Sequence, residues 1–232
     1  MVDAPPLPLR LARALVALAI EGALLAWGLG GAAALLASPH ALALLAVWGA
    51  AGVTLTLTRP GRGQDVARSE KDPLAMLLLA LIPLGTPALA AWGGRAGHWL
   101  LPAPGAFGWA GVALSALGLH VRVSAMRQLG ARFSPLLAVQ REHALETSGW
   151  YAVVRHPGYL GALLANAGAA IAFGSAVALP FALVMAVVQA DRVRREEALL
   201  ARHFGSAWQA YARRTGALFP RPARREPDSV QH

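Results

Sequence analysis

Residues 159–190 form a run of 32 positions without one charged side chain. A helix that crosses the hydrocarbon core of a bilayer needs about 20 mostly apolar residues. The run is too long for one span, and Gly174-Ser175 interrupts it near its middle. It reads as a helical hairpin with arms 159–173 and 176–190, joined by a short turn of the kind common between antiparallel helices. Lipid leaves backbone polar groups no partner but each other, so only helices or closed barrels can occupy it.

Four more blocks share this character. Residues 11–37 contain a single acid, Glu21, and residues 41–58 contain no charge. Residues 74–92 include Pro83 and Pro87, which kink a membrane helix without forbidding it. Residues 107–121 are shorter and continue past Arg122 to about Met126. With the hairpin arms this gives about six spans, two of them short, in an all-α polytopic membrane bundle. Nowhere is strand alternation convincing. A signal peptide has an apolar core of roughly 7–15 residues, so 11–37 reads as an uncleaved first helix.

Composition agrees. Charged residues make up 14% and apolar residues 56%, against about 25% charged in a typical soluble domain. That excludes a disordered chain, a coiled coil and an ordinary soluble enzyme. The absence of Cys excludes disulfides, thiolate metal sites and a cysteine nucleophile, and no metal site is expected.

Net charge is +9, but its distribution matters more than its sum. Arg10 and Arg13 open the first span; Arg59, Arg62, Arg68 and Lys71 lie between the second and third. Arg122, Arg127, Arg132, Arg141 and Arg155 lie between the fourth and fifth, and the remaining basic residues but one follow the sixth. Arg95 alone falls in the alternate turns, so 20 of the 21 basic residues lie on one side. The positive-inside rule then makes both termini cytoplasmic. The partner implied is the lipid bilayer, not nucleic acid.

Residues 1–126 are spans joined by poor linkers. Glu21 stands out, because a carboxylate inside a span marks a functional site by default; pairing with Arg13, Arg59 or a buried hydroxyl is the structural alternative. Gly22, Ala26 and Gly30 recur every four residues and predict a close helix–helix face. The glycines at 28–31 follow no strand, so they are not a nucleotide-binding loop.

Residues 127–221 carry the chemistry, and 222–232 read as a disordered tail. Arg155-His156-Pro157-Gly158-Tyr159 stands at the mouth of the hairpin. Pro157 suits the first turn of a helix, which puts His156 at an entrance whose N–H groups and dipole favour anions. Snorkelling of Arg155 and an interfacial place for Tyr159 are the bland reading. After the hairpin, Arg192 and Glu196 share a helix face and Glu197 points elsewhere. Gly205-Ser206 reads as a helix stop and a new N-cap, with Gln209 completing a capping box before a short helix over 207–214. The near-equal hairpin arms return residue 191 to the level of residue 159. Arg155, His156, Tyr159, Arg192, Glu196 and Glu197 therefore converge on one polar pocket, the usual signature of an active site.

The ordered pieces from Leu129 to Arg221 resemble the isoprenylcysteine carboxyl methyltransferases, within the integral-membrane methyltransferases that include phospholipid N-methyltransferases. The pieces are Leu129-Gly130 and Phe133-Ser134; His143 and Leu145; Gly149 and Tyr151; Arg155-His156-Pro157 with Tyr159-Leu160-Gly161; Arg192 with Glu196-Glu197; then Phe204-Gly205, Tyr211 and Phe219-Pro220. One departure is Gly149-Trp150-Tyr151-Ala152, where the family often has Gly-Pro-Tyr-Arg. The resemblance implies S-adenosylmethionine as methyl donor, lined by His143, Leu145, Tyr151, His156, Pro157 and Tyr159. Glu196 and Glu197 would serve the donor's polar groups or hold the arginines, with Glu197 assigned to the donor and Glu196 to Arg192 and the acceptor.

Methyl transfer from an activated donor depends mostly on positioning. A carboxylate acceptor needs a guanidinium to hold it, here Arg155 or Arg192, and no base; Glu196 would tune Arg192. An amine, phenol or thiol would need a base, and His156, Glu196 and Glu197 are available. The acceptor implied is a lipophilic small molecule or lipid that enters from the bilayer. The abundance of Ala, Gly and Arg suggests a bacterial inner membrane, with the active site facing the cytoplasm. Two alternatives remain: an NADPH-dependent reductase of the sterol-reductase type, with Arg132 and Arg141 for a phosphate, and a non-catalytic membrane protein using Glu21, His120, Asn166 and Gln189 as a pathway. Oligomeric state is not encoded legibly.

Overall fold

The computed structural model describes residues 6–57, 66–70, 72–130, 137–140 and 145–221. Six helices form the bundle: α1 (Leu7–Leu29), α3 (Pro39–Leu57), α4 (Pro73–Ala96), α5 (Pro104–Leu129), α7 (Pro157–Ile171) and α8 (Leu179–Phe204). Short α2 (Ala32–Leu36) joins α1 to α3, α6 (Gly149–Val153) precedes α7, and α9 (Ser206–Arg214) follows α8. Among the described residues, three helical stretches are long and apolar enough to cross a membrane: Pro39–Leu57, Pro73–Ala96 and Gly105–Leu129. At about 1.5 Å per residue, the 15 residues of α7 fall short of a hydrocarbon core of about 30 Å.

The outward faces of α1, α4 and α8 expose Leu15, Val16, Leu77, Leu81, Leu183 and Val187, each more than half exposed. Contiguous apolar surface of this kind is a liability in water and the normal exterior of a protein in lipid.

Backbone pairing outside the helices sorts the loops into two ends. At one end Val66–Glu70 (β1) and Leu137–Gln140 (β2) pair as an antiparallel ribbon. The fold is all-α as expected apart from this ribbon, which no strand alternation in the sequence announced. The segments are short, and a pairing between distant loops leaves no local alternation to read. At the other end the α4–α5 loop grips the hairpin turn: Leu101 N–H donates to the Gly174 carbonyl at 2.8 Å and Ala176 N–H donates to that of Trp99 at 2.9 Å. The turn occupies 172–178, with Gly174 at φ 67°.

The most extensive seam joins α5 to α7, and glycines make it. A Cβ at Gly118 would lie 2.3 Å from Ala165 N, and one at Gly168 would lie 2.5 Å from Gly111 O. Gly111 and Gly118 on α5 face Gly168 and Gly161 on α7, each pair seven apart, so the backbones meet without side chains between them. The expected Gly22–Ala26–Gly30 face is not where α1 packs closely. Gly22 merely touches Leu45, and Gly30 ends the helix at φ 96°. The close approach is at Gly28, where a Cβ would lie 2.3 Å from the Ala88 carbonyl. The 11–37 block thus breaks at Gly30 because a left-handed residue terminates a helix. Glu21 is buried on α1 at 7% exposure. Helix α9 matches the expected helix over 207–214, but Gly205 is its N-cap and no side chain caps it, so the Ser206–Gln209 capping box does not form.

Candidate active site

The Arg-His-Pro segment is held from behind. His156 is the N-cap of α7 and Pro157 its first residue. After α9 the chain turns back along 154–156: Arg155 N–H donates to the Gly216 carbonyl at 2.8 Å, and His156 N–H donates to that of Ala217 at 3.0 Å. This strap needs Gly216, since a Cβ there would collide with the Phe219 backbone.

Arg155 is buried, and its donors go to protein partners. Nε and Nη2 lie 2.8 and 2.7 Å from Glu197 Oε1. Nη1 donates to the Ala212 carbonyl at 3.1 Å and to that of Thr215. The guanidinium also lies 5.8 Å from the Trp208 ring centroid, within cation–π range. One side chain thereby ties the start of α7 to α8, α9 and the strap. His156 Nε2 sits 3.3 Å from the same Glu197 oxygen; a carboxylate only accepts, so the ring nitrogen donates. Burial pushes the Glu197 carboxyl up, but the hydrogen bonds from His156 and Arg155 outweigh it and hold the group below its ordinary range. Burial pushes the Tyr211 phenol up to about 12, so it stays a neutral donor, and its hydroxyl bonds the Tyr151 carbonyl at 2.7 Å.

In front of this clamp lies a cavity of about 420 Å³, within the usual range for a ligand site. It has two unlike ends. Met76, Leu79, Pro83, Leu119, Ala162 and Met185 line the apolar end between α4, α5, α7 and α8. Tyr151, His156, Tyr159, Arg192, Glu196 and Trp208 line the polar end. Across the polar end the Tyr159 hydroxyl donates to Glu196 Oε2 at 2.9 Å, and Arg192 hydrogen-bonds the same phenol. Arg122 donates to the Gly158 carbonyl at 2.9 Å.

The convergence expected from the hairpin is present, and the six residues divide into two layers. Tyr159, Arg192 and Glu196 form the wall of the cavity with His156, and Arg155 lines it too although its donors go to the clamp. Glu197, expected beside the donor, does not line it and spends its carboxylate on Arg155 and His156. Adjacent helical residues point about 100° apart, so only one of the two acids can face inward. Leu145, Tyr151 and Pro157 line the cavity, while His143 lies outside the described residues, as do Arg132 and Arg141. Sequence reasoning missed Arg122 and Trp208, which also line it. Arg122 registers along the chain only as a loop charge. The amphipathic spacing of α9, which buries Trp208 and Tyr211, was the signal for Trp208.

Comparison with known proteins bears on this constellation. The model of the isoprenylcysteine carboxyl methyltransferase family matches residues 111–202. The chain is 30% identical over 179 residues to protein-S-isoprenylcysteine O-methyltransferase B of Arabidopsis thaliana, covering 76% of this chain and 83% of that protein. It is 37% identical over 107 residues to protein-S-isoprenylcysteine O-methyltransferase of Schizosaccharomyces pombe, covering 45% of each. The Saccharomyces cerevisiae protein of the same name is 31% identical over 113 residues, 47% of each chain. The chain thus spans about half the length of these two fungal relatives. Neither the reductase nor the non-catalytic alternative gains support from these relatives.

Proposed function

The chain belongs to the isoprenylcysteine carboxyl methyltransferase family, and from that premise we propose that it is an integral-membrane enzyme that methylates the carboxylate of a lipophilic, isoprenylcysteine-like acceptor, with S-adenosylmethionine as donor. The observation that carries the reading is the two-ended cavity, apolar where it faces the helices of the bundle and charged where α7 and α8 meet.

The polar end suits such a donor. Glu196 offers a carboxylate to an ammonium group, Tyr151, Tyr159 and Trp208 offer aromatic faces to a sulfonium, and His156 at the entrance of α7 offers a donor to a carboxylate. Leu145 and Pro157 add apolar contact, and the family resemblance places His143 with them. When bound, S-adenosylmethionine supplies a methyl group on a positively charged sulfur, which departs as a neutral thioether. Arg192 holds the acceptor carboxylate in line with that methyl group. The carboxylate carries no proton near pH 7, so no residue acts as a base. Tyr159 and Glu196 fix the orientation of Arg192. Arg155 and Glu197 are positioning residues, because their bonds hold the backbone on which His156 and Tyr159 stand. Catalysis of this kind rests on holding reactants in a near-attack geometry.

The relatives' names specify a protein-borne S-isoprenylcysteine. A terminal residue of that kind, rather than the small molecule or lipid expected from sequence, fits an apolar slot that leads to an arginine. We read the bundle as six membrane-embedded helices in a bacterial inner membrane, with both termini and the polar end of the cavity on the cytoplasmic side. The supporting facts are the lopsided basic residues and the grouping of alternate loops at opposite ends. Equilibrium binding of S-adenosylmethionine and of NADPH to the purified protein in detergent tests the reading. Binding of the former with methyl transfer to S-farnesyl-N-acetylcysteine is the expected result. Binding of NADPH alone overturns it.

A further inference from the structure

Along α8, Met185, Gln189, Arg192, Glu196 and Leu199 recur at alternating steps of four and three, and all five line the cavity. That spacing places them in one stripe on one helix face. The stripe changes from apolar to charged as it runs, and Gln189 stands at the change. Gln189 is 1% exposed. Its side-chain Oε1 is buried and has no hydrogen-bond partner among the described residues. A buried, unmatched amide oxygen is costly unless something supplies a donor. The groups nearest along the stripe are Met185, which has no donor, and Arg192, which engages Tyr159 and makes no hydrogen bond to this oxygen.

We propose that Gln189 is a specificity residue that accepts a hydrogen bond from an amide N–H of the acceptor. This rests on the reading of Arg192 as the holder of the acceptor carboxylate. Gln189 precedes Arg192 by three residues, about 4.5 Å along the helix axis. An acylated amine on the carbon that bears the carboxylate keeps its N–H within that spacing, so two neighbouring side chains on one stripe can engage the two groups together. The thioether chain on the same acid then continues past Met185 into the apolar end. An acid that has the same tail but lacks the amide leaves the Gln189 oxygen buried and unmatched. A site built around a polar contact discriminates strongly against the analogue without it.

The test uses the full-length protein in detergent, with labelled S-adenosylmethionine and two acids: S-farnesyl-N-acetylcysteine and S-farnesyl-3-mercaptopropionate, which lacks the acetamido group. The wild type should favour the first by roughly tenfold or more in kcat/KM, mainly through KM. An N-methylated form of the first acid should behave like the second, a comparison that needs no variant. Q189L should bring the ratio between the two acids close to one. Equal use of both acids by the wild type, or a ratio that survives in Q189L, overturns the inference and leaves the methyltransferase reading intact. Methylation of neither acid by a protein that binds S-adenosylmethionine overturns the carboxylate reading and the inference with it.

Discussion

The Tyr159 hydroxyl donates to Glu196 Oε2 across 2.9 Å, joining residues 37 positions apart. The bond closes the α7–α8 hairpin at the end opposite its turn, inside the cavity. Glu196→Gln removes the charge proposed to meet the donor's ammonium group, and Tyr159→Phe removes the hydroxyl that orients it; a hydrogen bond to a charged ligand group is worth about 1.5–3 kcal/mol. Each variant should weaken S-adenosylmethionine binding roughly tenfold or more. Because the two residues are partners, the double variant should lose less than the two single losses combined. Strict additivity in titration calorimetry would show that the pair does not act as a unit.

Glu196 and Glu197 should fail differently. Glu197→Gln leaves Arg155 buried with a weakened partner, at a cost of about 1.5–3 kcal/mol, and should lower the thermal unfolding midpoint in detergent. Glu196→Gln should leave that midpoint within a degree or two and reduce binding and turnover instead. The reverse pattern would exchange the two roles.

The Glu197 carboxyl sits below its ordinary value of 4.5, and this sets the sign of a pH effect. A depressed folded value gives stability that is fully present above 4.5 and lost as pH falls through the lower folded value. The gap in unfolding midpoint between wild type and Glu197→Gln should therefore be constant from pH 7 to about 5 and shrink below 4.5. A gap that widens on acidification would contradict the assigned bonds.

The α5–α7 seam has no room for side chains. Gly118→Val would force atoms against Ala165 N, at 2.3 Å even for the first carbon, and overpacking of this kind costs about 1–3 kcal/mol or more. Gly85→Val, where a Cβ meets nothing within 4 Å, should be tolerated far better. Size-exclusion profiles and unfolding midpoints of the two variants separate these outcomes.

A reporter fused after residue 232 should be cytoplasmic, and one inserted at residues 98–100 should lie on the far side. The latter segment belongs to the loop that pairs with the hairpin turn. A reporter at the C-terminus that proves extracytoplasmic would invert the placement of the cavity.

Sequence alone determined what is periodic or cumulative. Uncharged runs located six helical segments, because a helix in lipid must be apolar along most of its length, but they did not fix every end: α1 stops at Leu29 and α8 continues to Phe204. The equal hairpin arms were enough to bring Tyr159 to Glu196 and Arg155 to Glu197, because a helix rises by a fixed step per residue. What depended on rotation or on distant partners was decided only in three dimensions. Spacing shows that Glu196 and Glu197 diverge, but packing chose Glu196 for the cavity and Glu197 for the clamp. Arg155 reads as a ligand-binding charge until the strap through Gly216 and the carbonyls of Ala212 and Thr215 take up its donors. The ribbon of Val66–Glu70 with Leu137–Gln140 and the glycine contact of α5 with α7 depend on which segments meet. Local sequence carries no record of that, because the energy of a contact belongs to the pair and not to either segment.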